Sequence, residues 1–333
     1  MMTCFRFLYH NESQSSAFFL QMPSGVTSRT GRAGLYSLHV DRFLGTRNAR
    51  TVCDVPGRIP SQWTGYSVGD GGYTKLHLHL KKWLEKASLD YGMIGEGDRV
   101  LVGVSGGSDS LALLELLASP MVFLPRFSMV AVMIDPGFDA SGGDCTVLER
   151  YFNERGIQYR IEKTDIGILA HSDFNRKKSP CFICSRLRRK RMVEIAEEYD
   201  CNRIALAHHK DDIIETLLLN IFYSREISTM VPCQSLFRGK FHIIRPLAYV
   251  REGLIKKYAL ERNLPVIENR CPTSGSSRRT YVKKLLDELE KENKDVRENI
   301  FRAMHHVKME YLPGFGKLTH DVPELLQVGA VCK

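Results

Sequence analysis

A chain of 333 residues with 43% hydrophobic and 26% charged residues has room for one large α/β domain or two smaller ones. No stretch approaches the roughly 18 uninterrupted apolar residues that a spanning helix needs, so a helical membrane protein is excluded and no membrane partner is expected. The formal net charge of +9 suits a polyanionic partner such as nucleic acid, and nine cysteines are too sparse for a disulfide scaffold at this length.

Along the chain, composition breaks near residue 74. No lysine precedes Lys75, whereas Arg6, Arg29, Arg32, Arg42, Arg47, Arg50 and Arg58 are present and acids are few. Residues 1–74 therefore read as a disordered leader or extension, with an organelle transit peptide as an alternative. Residues 75–310 read as the folded domain and 311–333 as a tail. Lys75–Tyr91 carries apolar residues at helical spacing. The apolar run Val100–Val104 predicts a buried strand, then comes a Gly-rich loop and a helix over Ser110–Leu117. A second strand spans Val130–Ile134, a helix Thr146–Arg155, and a third strand Gln158–Ile161. Helix Cys184–Tyr199, strand Ile204–Ala207, helix Asp211–Phe222, strand Phe241–Ile244 and helix Arg251–Arg262 follow. The closing helical region, Arg278–Val307, is expected to break near Asn293. Alternating strands and helices imply a parallel sheet covered on both faces.

The first strand ends at Val104 and runs into Ser105, Gly106, Gly107, Ser108, Asp109 and Ser110. Glycines let backbone approach a phosphate closely, and free N–H groups at a helix start point toward it. Ser105 and Ser110 can add hydroxyl hydrogen bonds, and Asp109 can hold magnesium on a pyrophosphate. An ordinary strand-to-helix turn is the plain alternative. The Gly-Lys-Ser/Thr ending of a Walker loop is absent.

This string resembles the SGGxDS signature of the PP-loop ATP pyrophosphatases. The resemblance implies cleavage of ATP between its α and β phosphates, leaving AMP on an activated oxygen. Many tRNA-thiolating members have lysine where this chain has Ser108, so another basic residue would have to serve. By the same resemblance Ile134 and Asp135, at the end of the second strand, border the nucleotide.

Cys181 and Cys184 form a CxxC pair, and Cys271 lies far downstream. Two thiolates at this spacing can bind one metal centre, and a third would leave one position open. A redox disulfide or half of a zinc site are the alternatives for a lone pair. The other six cysteines (Cys4, Cys53, Cys145, Cys201, Cys233, Cys332) read as buried small hydrophobes or surface thiols. The string CFICSRLRR from Cys181 to Arg189 is similar to the CxxCSRLRR of the tRNA 2-thiocytidine synthetases. Ala207-His208-His209-Lys210-Asp211-Asp212, Arg245-Pro246-Leu247 and Asn269-Arg270-Cys271-Pro272 also match that family, and the likeness runs from about Lys75 to Lys308. It implies a 4Fe-4S cluster on Cys181, Cys184 and Cys271 whose open iron carries the sulfur.

The chemistry needs these parts in sequence. ATP converts the poor leaving group at pyrimidine C2 into an adenylate, and cluster-bound sulfide or a cysteine persulfide then expels AMP. Arg188, one helical turn after Cys184, can stabilise developing negative charge, or it is simply part of a solvated basic face. Asp211 and Asp212 stand at the ligand-binding end of such a sheet, one for magnesium or the base and one as a helix cap. His208 and His209 line the nucleotide site or are structural. Arg176, Lys177, Lys178, Arg186 and Arg188–Arg191 surround the CxxC, and Arg278, Arg279, Lys283 and Lys284 follow Cys271, as a tRNA backbone tract would require.

The expectation is thus a Rossmann-like, doubly wound domain with strand order 3-2-1-4-5 and a helical C-terminal part. Its function is ATP-dependent thiolation of tRNA in the cytoplasm, with cytidine 32 as first choice. ATP, Mg2+ and a 4Fe-4S cluster serve as cofactors, a cysteine desulfurase or sulfide is the sulfur donor, and a homodimer is the assembly considered. Uridine 2-thiolation, another PP-loop enzyme such as a tRNA lysidine synthetase, and a non-catalytic nucleotide- and tRNA-binding module are the rivals.

Overall fold

The computed structural model describes residues 53–54, 73–138, 143–172, 179–268, 270–273, 275 and 277–312. Apart from residues 53–54, 73–74 and 311–312, the expected leader and tail lie outside the described residues, as do the basic residues 176–178 and Asn269.

Helix α1 (Lys75–Asp90) starts on Thr74, whose hydroxyl accepts the His77 amide at 3.1 Å, and buries Leu80, Leu84 and Ala87 along one face. Strand β2 (Asp98–Val104) leads into α2 (Ser108–Leu117), then β3 (Phe127–Asp135), α3 (Gly143–Glu154), β4 (Tyr159–Lys163) and the short α4 (Ile166–His171). Helix α5 (Pro180–Glu198) precedes β5 (Arg203–Ala205), α6 (Lys210–Ser224), β6 (Cys233–Leu236), β7 (Phe241–Ile244) and α7 (Glu252–Glu261). Helices α8 (Arg278–Glu292) and α9 (Val296–Ala303) close the fold, separated where Asn293 leaves helical geometry.

The sheet has the order β1-β4-β3-β2-β5-β7-β6, with β1 the pair Cys53–Asp54. Its five central strands are mutually parallel, in the order expected from the sequence. Two antiparallel edges were not signalled: β1 pairs with β4, and the polar β6 pairs with β7. Period-2 alternation sends Val100, Val102 and Val104 into the core under α1, α2, α3 and α7, while Leu101 joins the core under α5. A third cluster packs Ile213 and Ile214 of α6 on Val282, Leu286 and Phe301 of the C-terminal helices. Cys145 and Cys201 are buried, in keeping with small-hydrophobe duty.

The loops after β2, β3 and β5 leave the same edge of the sheet. Connections diverge to opposite sides between β2 and β5, the switch point at which open α/β sheets bind ligands.

Candidate active site

At the C-terminal end of β2 the chain turns on Gly106, whose φ of +82° is left-handed. A Cβ there would also lie 3.1 Å from the Ile267 side chain, so glycine is required twice over. Ser110, nearly buried, ties the loop together: its hydroxyl accepts the Ser105 amide at 3.0 Å and donates to the Gly107 carbonyl at 3.0 Å. It shapes the loop from within, while Ser105 Oγ, 3.2 Å from Ser110 Oγ, is the more outward hydroxyl. Gly107 caps α2 without a side-chain hydrogen bond, which leaves first-turn amides for an anion. Ser108 donates to Asp109 Oδ1 at 3.3 Å. Burial, then the charges of Asp212 and Glu252, raise the Asp109 carboxyl above its ordinary range, against the pull of His209.

The end of β3 borders this loop differently from expectation. Ile134 is 1% exposed and packs its side chain in the core beneath α5, which leaves its backbone as the part that can border a ligand. Asp135 is buried, accepting the Gly137 amide at 2.9 Å and the Cys145 thiol at 3.5 Å, and so fixes the turn that leaves the strand. Burial and the Asp135 charge push that thiol up to about 12, which keeps it a donor.

After β5, His209 caps α6. Its Nδ1 accepts the Asp212 amide at 3.3 Å while Asp212 Oδ2 accepts the His209 amide at 3.1 Å, a reciprocal capping box. The neighbouring His208 has an Nδ1 that is buried without a hydrogen-bond partner among the described residues. Its burial, then Arg245, hold it down to about 4, so it is neutral near pH 7.

The two aspartates have separate fates. Asp211 is buried: Oδ1 lies 3.1 Å from Arg251 Nε and 3.2 Å from Arg297 Nη1, and Oδ2 accepts the Glu252 amide at 2.7 Å. Both oxygens are engaged inside the protein, which helps anchor α7 and α9 to α6 and gives Asp211 a structural role. Asp212 keeps partial exposure and faces Asp109, with Arg279 of α8 at 3.0 Å. Arg279 also donates to Glu215 at 3.0 Å and Thr216 at 3.1 Å, clamping the start of α8 over the start of α6.

The cysteines converge from two segments. Helix α5 begins at Pro180 behind the Ser179 cap, earlier than the Cys184 expected, so Cys181 and Cys184 sit in its first turn with i, i+3 spacing on one face. Thr273 Oγ1 lies 3.4 Å from Cys181 Sγ and 3.4 Å from Cys271 Sγ. Burial raises the Cys184 thiol, Arg188 opposes it, and Cys271 and Cys181 reinforce it, so Cys184 feels both of the other sulfurs. Arg188 Nε is buried with no hydrogen-bond partner among the described residues. A member with no sequence signal is His171, whose Nδ1 hydrogen-bonds the Gly167 carbonyl at 2.8 Å and whose Nε2 lies 3.3 Å from Thr273 Oγ1. A carbonyl only accepts, so Nδ1 carries the proton and Nε2 accepts from Thr273. Among the described residues no group of three His, Cys, Asp or Glu side chains is arranged to hold a single metal ion.

One hydrogen bond joins the two regions. The Ile267 amide donates to the Gly106 carbonyl at 2.9 Å. Cys271 is four residue steps from Ile267, a reach of at most about 14 Å, so the cysteine corner stands beside the phosphate loop.

The PP-loop domain model matches residues 74–289. The tRNA-cytidine(32) 2-sulfurtransferase of Polynucleobacter necessarius is 39% identical over 243 residues, covering 72% of this chain and 79% of its own. That of Geobacter sulfurreducens is 39% identical over 241 residues, covering 70% of this chain and 91% of its own. Among solved structures, the U34-tRNA thiolase NcsA from Methanococcus maripaludis, determined with its 4Fe-4S cluster, aligns with a TM-score of 0.57 at 23% identity. That alignment spans 74% of this chain and 80% of the other, and it bears on the fold.

Proposed function

Because the chain belongs to the PP-loop family, and within it to the tRNA-thiolating group of the tRNA-cytidine(32) 2-sulfurtransferases, we propose that it uses ATP to exchange the C2 oxygen of cytidine 32 in tRNA for sulfur. The observation that carries this reading is the Ile267–Gly106 hydrogen bond at 2.9 Å, which sets the Cys271 segment against the phosphate loop. An ATP-activating site and a thiol site are useful together only when they reach one base.

In this reading the Gly106–Gly107 turn and the uncapped start of α2 hold the ATP phosphates. Asp109 and Asp212, which face each other across the loop, hold Mg2+ on the departing pyrophosphate. Neutral His208 and the Asp135 turn line the nucleoside side, with the orphaned His208 Nδ1 as a donor or acceptor for it. Asp211 acts only through position, by fixing α7 and α9. Arg279 and Arg188 supply positive charge where the absent family lysine leaves Ser108.

Three converging thiols, the Thr273 hydroxyl between two of them and the orphaned Arg188 Nε fit a multi-iron group, which is larger than a single ion. Cys181, Cys184 and Cys271 would hold the 4Fe-4S cluster. When bound, that cluster supplies an iron free of protein thiolate at which sulfide can be presented. The protein's part is to hold the base. Cytidine O2 attacks the α-phosphate and pyrophosphate leaves; a sulfide lone pair then forms the C–S bond at C2 as the C–O bond breaks and AMP departs. The sulfide is free sulfide, or it is released from a cysteine desulfurase's persulfide by a dithiol that supplies the two electrons and leaves as a disulfide.

Nucleoside mass spectrometry of tRNA from a strain lacking this gene tests the reading. Loss of 2-thiocytidine, restored by the wild-type chain and not by Cys271→Ser, is the expected result. If every thionucleoside is unchanged, thiolation is wrong.

A further inference from the structure

A tRNA substrate has to be gripped close to the cysteine corner, and the described surface offers two cavities on α8 with contrasting chemistry. One, of about 310 Å3, sets the carboxylates of Asp211, Glu252, Asp287 and Glu290 against three cations, so its charges are satisfied within the protein. The other, of about 450 Å3, is lined by Tyr223, Tyr281, Arg278 and Lys284, with the hydroxyls of Ser277 and Thr280, and no carboxylate lines it. Among the described residues, this second cavity has positive charge and aromatic faces and no lining carboxylate to neutralise them.

We propose that it is a nucleotide pocket, which takes an unpaired nucleotide next to the target base, stacks that base on Tyr281 and holds its phosphates with Arg278 and Lys284. The proposal rests on the thiolation reading and assigns the site where the RNA loop is gripped. Tyr281 is 59% exposed, an aromatic face left open to water on a helix whose buried side chains are Val282 and Leu286. Single-stranded RNA is held by such faces together with cations, because every base offers a π-surface whereas a duplex hides its own. The Arg278 guanidinium already sits 4.4 Å over the Tyr223 ring, which fixes its plane at the cavity wall. The volume falls in the range of small-molecule pockets, about 300–1,000 Å3, so one nucleotide fits. Location completes the case. Gly275 lines the cavity and lies two residues, at most about 7 Å, from Thr273, whose hydroxyl is 3.4 Å from both Cys181 and Cys271. A base seated here leaves its neighbour at the sulfurs.

The test uses the full-length, cluster-loaded chain and a fluorescent anticodon stem-loop RNA carrying the target cytidine, with affinity read by anisotropy at several salt concentrations. Tyr281→Ala should weaken loop binding on the order of tenfold, and Tyr281→Phe should restore it, because the phenyl face still stacks. Binding of a blunt RNA duplex should be unchanged by Tyr281→Ala, and ATP-induced thermal stabilisation should match wild type, which shows that the exposed substitution leaves the fold intact. The Arg278→Ala/Lys284→Ala pair should lower the salt slope of loop binding by about 1.4, since each phosphate contact to a single strand contributes about 0.7. Loop affinity unchanged in Tyr281→Ala overturns the pocket. So does a loss in the cation pair alone, which would assign the cavity to an acidic peptide or bare phosphate. A wild-type chain that ignores the stem-loop altogether would instead count against thiolation of that loop.

Discussion

The phosphate loop and the cysteine corner stand side by side but are built on opposite principles. The loop is a local object: Ser105 to Ser110 are contiguous, and its geometry comes from backbone conformation and from hydroxyls bonding within six residues. The corner is a tertiary object. Its sulfurs come from the start of α5 and from the segment before α8; Thr273 of that segment lies between Cys181 and Cys271, and His171 of α4 hydrogen-bonds Thr273. A local site survives loosening of distant packing, whereas an assembled one fails as soon as one contributing segment drifts. The phosphate loop should therefore be the robust half of the protein and the cysteine corner the fragile half.

The largest test of that difference is Asp211→Ala. It leaves Arg297 buried with a partner missing, although Glu290 and Asp287 still pair with it, so the cost should fall at the low end of the range for a broken buried pair, about 3 kcal/mol. For a domain of this size that is a fall in Tm on the order of 10 °C. Helices α7 and α9 lose one tie to α6, while the Lys210–Glu298 ion pair and the apolar cluster around Phe301 remain, so the seat of α8 that follows Cys271 loosens. Iron content should fall more than ATP affinity does, as measured by metal analysis and calorimetry on the same preparation. Equal losses in both would erase the distinction between a local and an assembled site.

Gly106→Ala probes the hydrogen bond that joins the two. Alanine at a φ of +82° costs about 1–2 kcal/mol, and its Cβ would press on Ile267 at 3.1 Å. ATP binding should weaken roughly tenfold, and because Gly106 accepts from Ile267, iron retention should fall with it. Should ATP affinity drop while the iron content stays at the wild-type level, the two regions are not mechanically joined through this bond.

What was legible in the sequence follows the same division. The loop could be read because its meaning lies in consecutive residues, and the parallel order because strands and helices alternate. The break at Asn293 and the CxxC pair were likewise local signals. The start of α5 was readable but missed: Ser179-Pro180 is an N-cap followed by the proline favoured at the first helical position. Capping of α6 by His209 has no common pattern, since the histidine stands where Ser or Thr usually does in a capping box. His171, Thr273 and Arg279 had no signal, because the contacts that bring them into the site (His171–Thr273, Thr273–Cys181 and Arg279–Asp212) are about 60 to 100 residues apart in sequence. Asp211 and Asp212 are adjacent and chemically identical, and only tertiary packing sends one to a buried ionic cluster and the other to the loop. Ile134 was assigned to the nucleotide by position on its strand, and the two-sided burial of the central strands turned its side chain into the core.

The smallest expected effect concerns His208, which follows β5. Burial, then Arg245, depress its folded pKa to about 4 from an ordinary 6.5. Above pH 6.5 the ring is neutral in both folded and unfolded chains and makes no difference between them. Between 6.5 and 4 the unfolded chain takes up a proton that the folded chain refuses, so stability falls as the pH is lowered through that window. Glu252 does not blur the upper part of it: burial pushes its carboxyl up, but hydrogen bonds from Lys256 and Lys283 hold it at about 2, so its contribution is lost only below an ordinary 4.5. His77 and His242 are also depressed by burial and share the same slope, which is why the comparison must be made by substitution. In His208→Gln the fall in Tm from pH 6.5 to pH 4.5 should be shallower than in wild type, with iron content unchanged at both ends. A slope as steep as wild type would place the buried proton-refusing group elsewhere, and a change in iron content would show that the influence of His208 reaches the cysteines.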